Sequence, residues 1–244
     1  MMVNADFSAR VLLHAPNMPW VPSPIPGVDR RMLDRVGGEV ARATSLVRYA
    51  PHSAFSRHTH TGGEEFLVLD GVFSDEHGDY PAGTYIRNPP TSAHTPSSAG
   101  GCTIFVKLWQ FDPADRTPVI VHVDDAAAAE KTASAVAAAA AAAAAGGRGG
   151  GGEGVTAMRL FADAREAVSV EAWAPGAAVR RPLPGGAEVL VLAGSLTEGG
   201  DTLRTHSWLR LPPGGRLDAV AGPDGARVWI KSGHLLYVAP SAVG

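Results

Sequence analysis

"RHTHTGGEEFLVLDG", Arg57 to Gly71, packs two histidines, a Gly-Gly pair, two adjacent carboxylates and an apolar run closed by glycine into fifteen residues. On an extended strand, residues i and i+2 face the same side, so His58 and His60 point together. Gly62 and Gly63 permit a tight turn that brings a carboxylate back to the same point, from Glu64 or from Glu65. The run "FLVL" then reads as a buried strand, and Gly71 as its turn.

The pattern around this stretch is β throughout. Short apolar runs alternate with Gly/Pro-rich turns: "SLVRYAP", "GTYIRNPP" and "CTIFVKLWQF" in the first half, "VSVEAWAP", "EVLVLAGSL", "HSWLRLPP" and "RVWIKSG" in the second. This spacing predicts antiparallel sandwiches or barrels, an all-β fold. Between the halves, "DDAAAAEKTASAVAAAAAAAAAGGRGGGGEG" has neither the apolar nor the aromatic content to build a core. Residues 124–154 are therefore expected to be an Ala/Gly linker between a domain at 1–123 and a second at 155–244.

The halves are copies of one unit. "LVLDG" at 67–71 returns as "LVLAG" at 190–194, and "IRNPP" at 86–90 as "LRLPP" at 209–213. Both pairs are displaced by 123 residues (190 − 67 and 209 − 86). The same displacement carries His58 onto Arg181, His60 onto Leu183, Glu64 onto Ala187 and His94 onto Leu217. The apolar scaffold survives and every candidate ligand is lost. Joint loss implies that the four act as one unit.

Composition bounds the function. Hydrophobic residues make up 45% and charged residues 18% of the 244, as in a soluble, core-forming protein. A net charge of −3 and a pI near 6.3 leave no basic footprint for nucleic acid. No stretch is a convincing membrane span. The N-terminus lacks the charged and apolar regions of a signal peptide, so a cytosolic protein is expected, organelle import being the alternative. The single cysteine, Cys102, opens an apolar strand and reads as a small buried hydrophobe; it excludes an internal disulfide and any CxxC site.

Three imidazoles and a carboxylate, His58, His60, His94 and one glutamate, suit a borderline first-row metal: zinc, iron, manganese, nickel or copper. They do not suit calcium or magnesium, which take all-oxygen shells. His94 follows a turn, a strand and a proline corner, and an antiparallel neighbour can deliver it to His58 and His60. Elsewhere the histidines read plainly: His77 at a solvated hairpin tip, His52 at the surface or behind the site, His122 and His234 alone at strand ends or loops. Tyr85, Arg87 and Lys107 lie on candidate barrel strands; for any one of them an ordinary strand position facing solvent is the plainer reading, and one lining the pocket would orient an anionic or dicarbonyl substrate. No phosphate-binding glycine loop and no GxSxG nucleophile motif is present.

His58-x-His60-x3-Glu64-x6-Gly71 resembles the first cupin motif, and Pro81-x-Gly83 with His94 the second. Over residues 18–112 the chain looks like the cupin of the ChrR type, a family that includes the C-terminal domain of the anti-sigma factor ChrR and is similar to acetylacetone- and acetophenone-cleaving dioxygenases. The second half resembles a degenerate cupin. The resemblance implies two jelly-roll barrels in tandem, packed as an internal pseudo-dimer. It also implies one divalent metal, zinc or iron, on His58, His60, Glu64 and His94, and its spacing favours Glu64 over Glu65. The family's anti-sigma members also carry a helical zinc domain with histidine and cysteine ligands; this chain begins almost directly with the cupin, so sigma binding of that kind is not expected. The acetylacetone-cleaving enzymes are described by three histidines, and Glu64 moves this chain toward the four-ligand pattern. Two functions follow from the resemblance: a metal-dependent dioxygenase acting on a small dicarbonyl or hydroxyketone, or a non-catalytic zinc-bound sensor with a protein partner in oxidative stress.

Overall fold

The computed structural model describes residues 1–38, 40–124 and 154–238. The linker expected at 124–154 lies, apart from its two end residues, outside the described residues. The described residues divide into two compact units, one built on residues 1–5 and 17–123, the other on residues 6–16, 124 and 154–238.

In the first unit the main sheet runs Met2–Val3, Val28–Gly37, Ala41–Tyr49, Cys102–Leu108, Glu64–Asp75, Thr84–Asn88 and Val119–His122, all neighbours antiparallel. Strand Glu64–Asp75 is long enough to serve two sheets. Its first half pairs with Cys102–Leu108, and its end pairs with Gly78–Pro81 and Ser97–Ser98. The turn between the halves falls at Gly71, with φ +71°. A Cβ there would lie 2.2 Å from the Gly101 carbonyl oxygen, so only glycine fits. Facing the main sheet are the short pairs Ser53–Ala54 with Ser97–Ser98 and His58–Thr59 with Ala93–His94. Val28, Val47, Phe66, Val68, Phe73, Ile86, Ile104 and Val106 fill the space between them. Each such side chain contributes about 1.5–3 kcal/mol when fully buried.

The second unit repeats this plan. Its sheet runs Val155–Ala162, Ala167–Trp173, Gly215–Ser232, Ala187–Glu198, Ser207–Leu211 and Val11–His14. Gly194 takes the place of Gly71: its φ is +70°, and a Cβ there would lie 2.2 Å from the Gly225 carbonyl oxygen. The sequence reading assigned residues 1–123 to a single domain, yet Asp6–Pro16 lies in the second unit. Strand Val11–His14 is the edge partner of Ser207–Leu211, the role that Val119–His122 plays beside Thr84–Asn88 in the first. Four residues of this kind carry no signal of which edge they will pair with.

Candidate metal centre

His58 and His94 are direct partners across the antiparallel pair His58–Thr59 and Ala93–His94. His60 lies two residues on, and its backbone N–H donates to the Ser92 carbonyl oxygen at 2.9 Å. The three rings meet edge to face, with centroids 4.6–5.0 Å apart. One ring nitrogen from each lies within 4.8 Å of the others, so these three side chains could hold a metal ion. His60 and His94 are buried and His58 is exposed, so the cluster opens to solvent on one side.

Hydrogen bonding sets which nitrogen is free. His58 Nδ1 lies 3.2 Å from the Ser56 carbonyl oxygen, which can only accept, so Nδ1 carries the proton. His94 Nδ1 faces Asp75 Oδ2 at 3.2 Å, an arrangement that again makes Nδ1 the donor. The Ser92 hydroxyl donates to the Pro89 carbonyl oxygen at 2.7 Å and so accepts from His60 Nδ1 at 3.0 Å. Each ring therefore turns an Nε2 lone pair toward the others. Outward Nδ1–H bonds of this kind fix the tautomer of metal-binding imidazoles. His60 Nε2 is buried and makes no hydrogen bond, although Glu64 Oε2 is 3.2 Å away. A convergent, partly orphaned donor set is what a transition metal requires, and the residues present fit one.

Glu64 completes the cluster. Its Oε2 is 3.2 Å from His60 Nε2 and 3.7 Å from His94 Nε2, and it accepts from Asn88 Nδ2 at 3.3 Å. Burial alone would push this carboxyl up, but the neighbouring imidazoles of His60, His94 and His58 hold it below its ordinary value. Burial draws His94 below the usual imidazole range, partly offset by Glu64, which favours the neutral, ligating form.

The Gly-Gly turn owes its composition to neighbours as much as to dihedral angles. Gly63 has φ +76°. Gly62 does not need a positive φ, but a Cβ there would sit 2.2 Å from the Trp109 ring. Thr91, a β-branched residue at φ +77°, donates its N–H to the His60 carbonyl oxygen at 2.9 Å. Backbone strain of this sort persists where surrounding contacts hold it.

Strand register separates Glu64 from Glu65. Glu64 pairs with Asn88 and Leu108, on the face shared with Phe66 and Ile86. Glu65 pairs with Arg87 and Lys107 on the opposite face and accepts from the Tyr85 hydroxyl at 2.7 Å. The reading of Tyr85, Arg87 and Lys107 as pocket residues is accordingly corrected: all three point away from the histidines. Arg87 binds Asp115 at 2.5 Å and lies over Phe111, and Lys107 donates to Thr44 Oγ1 at 2.9 Å. The second unit keeps this outward set as Glu188, Trp208, Arg210 and Lys231, all buried, with Trp208 Nε1 donating to Glu188 Oε2 at 3.1 Å.

At the ligand positions the second unit differs. Arg181 pairs with Leu217 as His58 does with His94. Leu183, Ala187 and Leu217 belong to its apolar core, and Arg181 turns to a bidentate ion pair with Glu171 at 2.6 and 2.7 Å. His77 and His52 are exposed turn residues, and Cys102 is a buried thiol pushed up to about 11, as burial predicts. His234 does not stand alone: it is buried, with Nε2 2.9 Å from Glu188 Oε1. Asp75, Ser92 and Ser56 escaped the sequence reading because nothing in their spacing marks them as partners of the histidines.

Residues 8–112 match the family model of the ChrR cupin-like domain, a span that contains all four candidate ligands. No curated protein matches the chain. Among solved structures, protein Ylba from Escherichia coli superposes with a TM-score of 0.64 at 13% identity, covering 94% of this chain and 93% of its own. The bacterial pirin YhhW from Escherichia coli, solved with nickel(II), gives 0.61 at 12%, covering 92% and 98%. Salicylate 1,2-dioxygenase from Pseudoaminobacter salicylatoxidans, solved with gentisate, gives 0.52 at 12%, covering 80% and 68%. At such identities the likeness is one of fold. Among the described residues no helix is long and apolar enough to cross a membrane. Residues 8–112 thus resemble the ChrR cupin-like domain, and the chain has the fold of a tandem pair of cupin barrels.

Proposed function

We propose that the first barrel is a mononuclear metal site, with His58, His60, His94 and Glu64 as ligands, and that it serves a dioxygenase acting on a small dicarbonyl or hydroxyketone. The observation that carries this reading is the set of three Nε2 lone pairs turned inward by Ser56, Ser92 and Asp75, with His60 Nε2 buried and without a hydrogen bond. Iron is the metal this chemistry calls for. When bound, it would polarise a chelated dicarbonyl and engage oxygen. The chain's part is to hold four ligands, leaving two positions on an octahedral ion. Asp75 keeps the His94 ring in place, and the wall of Phe66, Phe73 and Ile86 restricts water. The apolar filling of the equivalent positions in the second barrel supports a single site per chain.

The match to the ChrR cupin-like domain supports a second reading, a zinc-bound sensor or interaction domain. Four protein ligands on a tetrahedral zinc leave no open position. Elemental analysis of protein purified without a histidine tag, followed by oxygen-uptake assays with β-diketones, separates the two. Iron with diketone-dependent oxygen uptake is the expected result. Zinc, with no uptake after exchange to iron, would favour the sensor.

A further inference from the structure

The second barrel holds a cavity of about 350 Å³, a volume at the small end of small-molecule sites. Buried Leu183, Leu217 and Ile230 line its floor, and exposed Arg159 and Pro182 stand at its rim, so it opens to solvent. Under the 123-residue displacement Leu183 replaces His60 and Leu217 replaces His94; Arg181, which also lines the cavity, replaces His58. The cavity thus has the place in this barrel that the histidine cluster has in the first.

A different polar group has taken over that place. Arg181 lies between Val179 and Leu183, both core residues, on the inner face of strand Ala178–Leu183. Glu171 meets it from strand Ala167–Trp173. The buried Glu171 carboxylate accepts from Arg181 Nη1 and Nη2 at 2.6 and 2.7 Å, from Trp173 Nε1 at 2.9 Å and from Ser169 Oγ at 3.3 Å. Glu171 pairs with Val228, and Val228 with Val191. In the first barrel Val47 pairs with Ile104, and Ile104 with Val68. Val191 is Val68 displaced by 123 (191 − 68), so Glu171 stands where the first barrel has a core valine. Replacing a buried ion pair by packed apolar side chains is often neutral or stabilising, so packing alone does not call for this one.

Glu171 fixes Arg181 without saturating it. A guanidinium has five N–H donors, and the pair with Glu171 uses one on each Nη. Among the described residues Glu171 is the only side-chain partner of Arg181, which stays partly exposed. Its remaining N–H groups are open to a second acceptor in the cavity. Arg159 and Arg181 against Glu171 leave the lining with an excess of one positive charge (two minus one). That excess selects an anion, and the leucine and isoleucine floor selects an apolar body.

We propose that this cavity binds small monocarboxylates with a compact apolar body, the carboxylate on Arg181 and the body on Leu183, Leu217 and Ile230. Glu171 is a positioning residue: it holds the guanidinium and does not touch the ligand. The proposal is independent of the metal reading, because none of these residues belongs to the first barrel.

Calorimetric titration of the full chain with phenylacetate, phenylacetamide and acetate tests it. The amide removes the charge and acetate removes the ring. The wild type should bind phenylacetate about tenfold or more tightly than either. Arg181→Leu combined with Glu171→Val removes both charges together, and should abolish the preference for the acid over the amide while metal content stays unchanged. Arg181→Lys keeps the ion pair but not the fork, and should lose most of the preference. Equal binding of phenylacetamide or of acetate by the wild type, or no binding at all, overturns the proposal. So does a preference that survives in the double variant when its melting temperature shows it folded, since the acid then binds elsewhere, the histidine cluster included. If the double variant does not fold, Arg181→Lys decides: loss of the preference supports the site, and full retention overturns it.

Discussion

His58 and His94 face each other across one antiparallel pair, and Arg181 and Leu217 face each other across the equivalent pair of the second barrel. One backbone register thus displays a polar cluster in one copy and a core contact in the other. The ligand positions are separable from the fold.

His60→Ala should lose most of its bound metal while the barrel stays folded, since the ring contributes a ligand and little core. Leu183→Ala, the equivalent position, should leave metal content unchanged and cost about 2–5 kcal/mol of stability through the cavity it opens. Elemental analysis and denaturant unfolding check both. Full metal retention by His60→Ala would remove the site as drawn.

Asp75→Asn should weaken metal affinity roughly 10- to 100-fold without unfolding the chain, because Asp75 accepts the Nδ1 proton of His94 and never reaches the lone pairs. Competition with a chelator gives the number. Unchanged affinity would mean that Asp75 belongs only to its hairpin, where its Oδ1 accepts from the Tyr80 hydroxyl.

Gly62→Ala should destabilise by about 1–3 kcal/mol and lower metal affinity, because the added methyl meets the Trp109 ring. The backbone there does not demand glycine, so Gly62→Ala combined with Trp109→Ala should recover metal binding. Failure of the double variant would point to the turn conformation instead of the ring.

Asp115 tests the outward face. Burial would raise its pKa, but the hydrogen bond from Arg87 and the backbone N–H of Thr117 hold it below the usual carboxylate value. A lowered folded-state pKa means that the unfolded chain binds more protons in the acid range. The contribution is therefore present above about pH 4 and lost as pH falls through the folded pKa. Asp115→Asn should cost about 1–3 kcal/mol at pH 7 and progressively less as pH falls below about 4, with metal content unaffected. Urea unfolding on either side of that pH reads this directly; an equal loss on both sides would exclude the charge.

The chain's local pattern was sufficient for the all-β class, the duplication and the three histidines of the cluster, with one of two adjacent glutamates beside them. The reasons are short-range: alternation puts His58 and His60 on one side of a strand, and a repeat with an intact scaffold exposes which residues are dispensable to folding. What remained hidden depends on partners far away in sequence. Glu64 and Glu65 are adjacent and chemically equal; register against Thr84–Asn88 and Cys102–Leu108 alone turns one to the histidines and the other to Tyr85. The same register sends Arg87 and Lys107 outward, because both faces of these strands are buried and hydrophobicity cannot name the inner one. The choice of Nδ1 as the protonated nitrogen came from Ser56, Ser92 and Asp75, which tertiary pairing supplies and no spacing encodes.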